Sequence, residues 1–325
     1  MQGEDAVKFA VSLVMAQTET ILESLPAVVQ ANGIDALLID TVQFYAELGA
    51  IQLGMPYIHV SNALHLDFSG CTPICFYDWL HQTTASALAR NREGVAKFTK
   101  ILENANAGIR AYAKSASFDV DWDNPSATIS NLAWITQTPR EFDFKSSHWP
   151  QQFHHTGPFH DGAGRIAVDF PWERLTGEPL IYASMGTMLD GLADVYSTII
   201  AATAKHKGVQ LVLSVGDPLD PEQIGSLRSN TILVEHAPQL ELLKRASVCI
   251  THAGLNTVLE SLAQGVPQVA IPVTVDQPGV AARIAQKKTG LFVPLKKLTV
   301  SHLSLLLDQV LNEPTCHDNA RYFQK

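Results

Sequence analysis

The residues best able to do chemistry lie in Val248–Glu260, VCITHAGLNTVLE. An apolar run ends at Thr251, His252–Gly254 make a turn, and helix-forming residues begin near Leu255. The start of a helix presents unpaired N–H groups and the positive end of the helix dipole, which together hold phosphate. Ala253 and Gly254 are small enough for a diphosphate to approach the backbone, and His252 can donate a ring N–H to the same phosphate. Asn256 and Glu260 stand four apart and share one helix face, leaving Leu255, Val258, Leu259 and Leu262 for the core. A carboxylate one turn inside such a helix suits ribose hydroxyls, a task that dinucleotide-binding folds also give to an acidic residue. Taken alone, His252 is better described as a core-satisfied histidine in a plain strand–turn–helix.

Two flanking segments narrow the choice. EHAPQLELL places His236, Pro238 and Gln239 after the preceding apolar run, and GVPQVAIPVTVDQPG places Asp276 and Gln277 beyond the following one. In a parallel α/β sheet all three loops fall at the carboxyl edge, where ligands collect.

Such a sheet is what the second half predicts. Leu180–Ala183, Gln210–Ser214, Thr231–Val234, Val248–Thr251 and Gln268–Ile271 read as buried parallel strands. Helical stretches at Ala193–Lys205, Leu240–Arg245, Leu255–Gln264 and Gly279–Lys287 separate them. That alternation means right-handed crossovers and a doubly wound sheet. In the first half, Val7–Gln30 reads as a long helix kinked or broken before Pro26. A strand (Ala36–Ile39), a helix (Val42–Leu53) and a strand (Tyr57–Val60) follow, then a mixed region to Ser117 and strands at Thr128–Leu132 and Phe153–Thr156. Gly157–Gly164 reads as the linker. The expected organisation is a partial first domain over residues 1–160, a linker over 161–175 and a second domain over 176–325. Because the chain opens on a helix, the first domain is expected to lack its opening strands, two to three strand–helix units or about 60–90 residues.

Composition bounds the partners. The chain has 325 residues, 46% hydrophobic and 17% charged, enough for two globular domains. Its net charge of −9 argues against nucleic acid. No membrane-length apolar run or secretory leader is visible, and Cys71, Cys75, Cys249 and Cys316 form no pairing framework, so a cytoplasmic setting is expected. Cys249 reads as a buried reduced thiol.

The blocks HAPQ, THAGLNTVLE, GVPQVAIP and DQ, in this order, resemble the donor site of UDP-dependent glycosyltransferases of the GT-B fold. LIYASMGT resembles the first loop of that family's nucleotide domain, and the resemblance extends from about Ile34 to Leu311. FHHTGPFHD gives it a bacterial character, similar to macrolide and carotenoid glucosyltransferases. It implies two Rossmann-like doubly wound domains facing across a cleft, the first lacking its initial strands. The implied donor-binding set is Gly186, Thr187, His236, Ala237, Gln239, His252, Gly254, Asn256, Thr257, Glu260, Asp276 and Gln277. Within it, Gly186 and Thr187 face the phosphates, and His252, Asn256 and Thr257 hold the diphosphate. His236 stands where plant members stack a tryptophan on uracil, Gln239 contacts the uridine, Glu260 the ribose, and Asp276 with Gln277 the sugar hydroxyls.

The resemblance further implies inverting transfer of a hexose, most simply glucose, from a UDP-sugar to a hydroxyl of a lipophilic small molecule. The UDP-sugar is a co-substrate, and neither metal nor cofactor is expected. Peripheral membrane association through the acceptor remains open. Asp40, ending the strand in DALLIDTVQF, matches the acid that orients a histidine base, although it also suits a helix cap. That histidine belongs after the first strand of the first domain, in a part this chain lacks, and His59 and His65 are weak substitutes. The expectation is therefore a truncated product with a complete donor site and an incomplete catalytic one. Its alternative activity is donor binding without turnover. A sugar-nucleotide 2-epimerase would need paired acid–base carboxylates that the sequence does not show.

Other patterns read as bland. FDVDWD (Asp119, Asp121, Asp123) imitates a metal motif but follows no apolar strand, so a solvated loop is expected. His148, His154, His155 and His160 match no zinc spacing. Phe68, Phe76, Tyr77, Trp79 and Phe98 serve either an apolar acceptor pocket or simple core packing.

Overall fold

A computed structural model of the chain describes residues 4–146, 148–159, 165–186, 191–216 and 227–324. It divides into two compact units, one of residues 1–159 with Thr274–Gly279, the other of His160–Val273 with Val280–Lys325. Sequence reasoning assigns Thr274–Gly279 to the second domain, whereas its contacts group it with the first unit.

The first unit opens with α1 (Glu4–Asn32), which buries Val7, Val11, Met15, Thr18 and Leu22 at helical spacing. It continues through Pro26, so the expected break does not occur. Burial of this stripe against neighbouring helices outweighs the backbone bond that a proline removes. The sheet is parallel in sequential order, β1 (Leu37–Asp40), β2 (Tyr57–Ser61), β3 (Trp134–Thr136) and β4 (Phe153–His155). The helix expected over Val42–Leu53 shrinks to α2 (Glu47–Gln52), because Thr41–Ala46 turns after β1. The region left unassigned before Ser117 holds α3 (Ala85–Ala105), capped by Thr84 Oγ1 on Ala87 N–H, and α4 (Ala107–Ser115).

The strand expected at Thr128–Leu132 is also corrected, since pairing falls on Trp134–Thr136 instead. Ser130 explains the difference. Its N–H donates to His59 Nδ1 at 3.0 Å and its Oγ to the Tyr57 carbonyl at 2.6 Å, side-chain bonds that replace a ladder.

The second unit contains β5 (Leu180–Ser184), α5 (Ala193–Thr203), β6 (Gln210–Ser214), β7 (Thr231–Val234), α6 (Gln239–Leu243), β8 (Ala246–Thr251) and α7 (Leu255–Ala263). Then come β9 (Gln268–Ala270), α8 (Gln277–Lys287), β10 (Gly290–Phe292), α9 (Val300–Asn312) and α10 (Pro314–Tyr322). Its six parallel strands run in the order β10-β9-β8-β5-β6-β7. Both faces are covered. Ile181, Ala183, Leu211, Leu213, Val248 and Ile250 belong to one apolar cluster, while Leu180, Tyr182, Val212 and Cys249 belong to another. The alternation is the period-two pattern of a strand buried on both sides. The sequence order reverses between β5 and β8, the switch point at which such sheets bind ligands.

Replacing Pro26 by Ala restores a donor in the middle of α1. Urea denaturation of Pro26→Ala is expected to show the first unit stabilised by about 1–3 kcal/mol.

Candidate functional site

The switch point in the second unit is built around His252. Between β8 and α7, Ala253 takes φ +67° and Gly254 supplies the extended N-cap of α7. A non-glycine residue at positive φ is strained, and the turn is held by Ala253 N–H donating to Thr251 Oγ1 at 3.2 Å. After β5, Gly186 adopts φ +79°. A Cβ at Gly186 would stand 2.9 Å from the His252 ring, and one at Gly254 only 2.4 Å from Nε2. The imidazole is thus wedged between two glycines at the adjacent ends of β5 and β8. Burial pushes its pKa down to about 4, against a hydrogen bond to the Ser184 backbone, so the ring is neutral at pH 7. Its Nδ1 is buried with no hydrogen-bond partner in the described structure. A buried polar atom left open at a helix N-terminus marks a place for a ligand.

A second knot forms one turn into α7. Glu260 is 1% exposed, yet both carboxylate oxygens are engaged. Gln239 Nε2 donates to Oε2 at 2.6 Å, and Arg165 Nη2 pairs with Oε1. The Tyr182 hydroxyl donates to Gln239 Oε1 at 3.0 Å, which fixes the amide's orientation, and Gln239 Nε2 also lies 3.4 Å from Thr257 Oγ1. Burial pushes the Tyr182 phenol up, keeping it a donor. Asn256 is exposed on the first turn of α7, and His236 is exposed in the bend after β7. Ala237 packs against the core beneath Gln239. Thr187 lies outside the described residues. Asp276 and Gln277 group with the first unit, where Asp276 Oδ2 accepts from Leu64 N–H at 3.0 Å. Gln277 Oε1 accepts from Thr274 N–H at 2.9 Å across a turn containing Val275 at φ +53°.

Sequence reasoning missed Arg165 and Tyr182. A lone tyrosine in an otherwise aliphatic strand, LIYAS, is the signal that could have pointed to Tyr182, because a buried phenol needs a partner. Arg165 gives no such signal.

In the first unit Asp40 ends β1 and caps the following turn, its Oδ1 accepting from Val42 N–H at 3.1 Å. Burial pushes its carboxyl pKa up, against that bond and nearby His59. Neither alternative histidine is placed to act as a base. His59 Nδ1 accepts from Ser130 N–H, so Nε2 carries the proton and faces Glu47 Oε2 at 3.7 Å. His65 is 2% exposed, with Nδ1 3.2 Å from Thr136 Oγ1 and Nε2 3.1 Å from Asp143 Oδ2. A small pocket of about 30 Å³ is lined by Thr41, Phe44, Glu47, His59, Leu66 and Phe68 among others. Phe98 is 1% exposed, with Phe44, Phe68 and Phe76 packed around it. Phe98 is therefore core, while Phe44 and Phe68 reach the pocket as well.

Asp119, Asp121 and Asp123 are exposed in a loop. His148 Nε2 pairs with Asp67, His155 donates from Nδ1 to the Thr138 carbonyl, and His160 is outside the described residues. Among the described residues no three such side chains group as metal ligands. Cys249 is free and buried, its thiol pKa pushed up to about 12 by burial.

Residues 173–324 match the family described as "UDP-glucoronosyl and UDP-glucosyl transferase". That match falls almost wholly on the second unit, and the chain as a whole is similar to UDP-glycosyltransferases and shares the GT-B fold. Relatives of this family include zeaxanthin glucosyltransferases from Pantoea ananas and Pseudescherichia vulneris, 27% and 28% identical over 88% and 91% of this chain. The matched regions span 66% and 72% of those two proteins, so the chain matches about two thirds of their length. The crystal structure of the glycotransferase of kitacinnamycin shares the fold, with TM-score 0.73 at 21% identity, covering 98% of this chain and 78% of that one. Among the described residues no helix is long and apolar enough to cross a membrane.

The depressed His252 pKa sets a sign for pH dependence. Between pH 6.5 and 4 the unfolded chain binds a proton that the folded chain does not, so this stability is present above pH 6.5 and lost on acidification. Urea midpoints measured from pH 7 to 4.5 are expected to fall less steeply for His252→Asn than for wild type. Gly254→Ala is expected to displace the ring and weaken UDP binding about tenfold by calorimetry, beyond the cost of about 1 kcal/mol for a poorer cap.

Proposed function

We propose that the chain binds a UDP-sugar and transfers its hexose, most simply glucose, to a hydroxyl of a lipophilic small molecule with inversion. The open, buried Nδ1 of His252 beside the N-terminus of α7 carries this reading. In it, His252, Gly254, Asn256 and Thr257 bind the diphosphate together with Gly186 and Thr187. Glu260 takes the ribose, His236, Ala237 and Gln239 the uridine, and Asp276 with Gln277 the sugar hydroxyls. As the glycosidic bond breaks, negative charge develops on the departing diphosphate. The helix N-terminus and a His252 N–H stabilise that charge, so no metal cofactor is part of the proposal. A diphosphate beside the ring raises its proton affinity, and protonation makes the open Nδ1 a donor. The relatives named for zeaxanthin glucosylation support a lipophilic acceptor, and the pocket flanked by Phe44 and Phe68 offers it an apolar surface.

One observation favours a second reading, donor binding without turnover. Inverting transfer needs a base for the acceptor proton, yet Asp40 has no histidine paired to it among the described residues. His59 and His65 each have both ring nitrogens facing protein groups.

Incubation with UDP-glucose and a panel of hydroxylated acceptors separates the two readings. The transferase reading expects a β-linked product whose rate is unchanged by a chelator, with Asp40→Asn lowering kcat by about a hundredfold or more. Binding of UDP-glucose without product supports the second reading, and loss of turnover on chelation overturns the metal-free mechanism.

A further inference from the structure

Arg165 lies in the irregular stretch, residues 165–171, that leads toward β5. From there its Nη2 pairs with Glu260 Oε1, and among the described residues it is the one cation paired with that carboxylate. The Arg165 side chain is 44% exposed and the Glu260 side chain 2%, so the pair joins a half-exposed cation to a buried carboxylate.

The charge state matters for what Glu260 can recognise. Ionised, it accepts at both oxygens; protonated, one oxygen becomes a donor. Two neighbouring hydroxyls, each donating a proton, need the ionised form. Arg165 occupies one lone-pair direction of Oε1, and Gln239 occupies one of Oε2. Among the described residues these are the hydrogen bonds that reach the two oxygens, and the carboxylate plane is fixed from both ends because Gln239 is itself held by Tyr182.

We infer that Arg165 is a positioning residue for the donor's ribose, holding the Glu260 carboxylate oriented so that its two oxygens receive the 2′ and 3′ hydroxyls. The inference rests on the donor-site reading above and adds to it a residue that neither the sequence pattern nor the family resemblance singles out.

Calorimetric titration of the full chain with UDP and with 2′-deoxy-UDP tests it. Wild type is expected to prefer UDP by about tenfold, the worth of one hydroxyl on a charged acceptor. Arg165→Ala is expected to weaken UDP by about tenfold and 2′-deoxy-UDP much less, bringing the ratio toward one. Arg165→Lys, which keeps the charge, restores most of the ratio. Glu260→Gln collapses the ratio by itself, and adding Arg165→Ala to it changes the ratio no further. Arg165→Gln gives the same readout if the alanine variant does not fold. An unchanged ratio in the Arg165 variants, or equal losses for the two nucleotides, overturns the inference while leaving the donor site standing. Failure of wild type to bind either nucleotide overturns the donor-site reading and the Arg165 inference together.

Discussion

A charged group can stay inside a protein only while its neighbours replace the water it has lost, and the loop edge of the second unit is arranged to meet that condition for Glu260. Its carboxylate is buried in α7, and the groups that satisfy it come from separate parts of the chain: Arg165 before β5, and Gln239 at the start of α6. Gln239 is in turn aligned by Tyr182 from β5 itself. The chain of contacts ties α6, α7 and β5 together where the strand order of the sheet reverses. Such a network has little freedom to drift, because each bond lost leaves a buried polar group unpaired.

The same edge handles His252 in the opposite way. The ring is squeezed between Gly186 and Gly254, kept neutral by burial and left with an open nitrogen. Glu260 is held by hydrogen-bonding partners, while His252 stays uncharged through desolvation. One anchor therefore suits neutral hydroxyls, and the other can take up a proton when an anion arrives. Strain at Ala253 is part of the same arrangement, since a left-handed residue there brings the strand end and the helix start close together.

The first unit spends its polar residues differently. Glu47, His59, Ser130 and Thr128 bond to one another or to backbone, and His65 lies with Asp143 and Thr136 beneath an aromatic cluster of Trp134, Trp149 and Phe153. These groups brace turns and strand ends, which accounts for two histidines that carry no free lone pair for catalysis. Asp40 combines a turn-capping bond with a carboxyl made more basic by burial.

The sequence by itself determined the second unit's sheet, since strands buried on both faces write continuous apolar runs and the turns between them write glycine and polar breaks. The turn after β8 was legible too, because His252 and Gly254 follow an apolar strand and precede a helical stretch. Only the tertiary structure decided that α1 runs through Pro26, that Trp134–Thr136 pairs in place of Thr128–Leu132, and that His59 and His65 are bound up in bracing. In each of these, packing or a long-range side-chain bond outweighs local preference. Arg165 and Glu260 are 95 residues apart, and no local pattern records a partner that folding brings from so far away. What the loop edge carries was legible in its residue types; how its charges are held was set by contacts that exist only once the chain has folded.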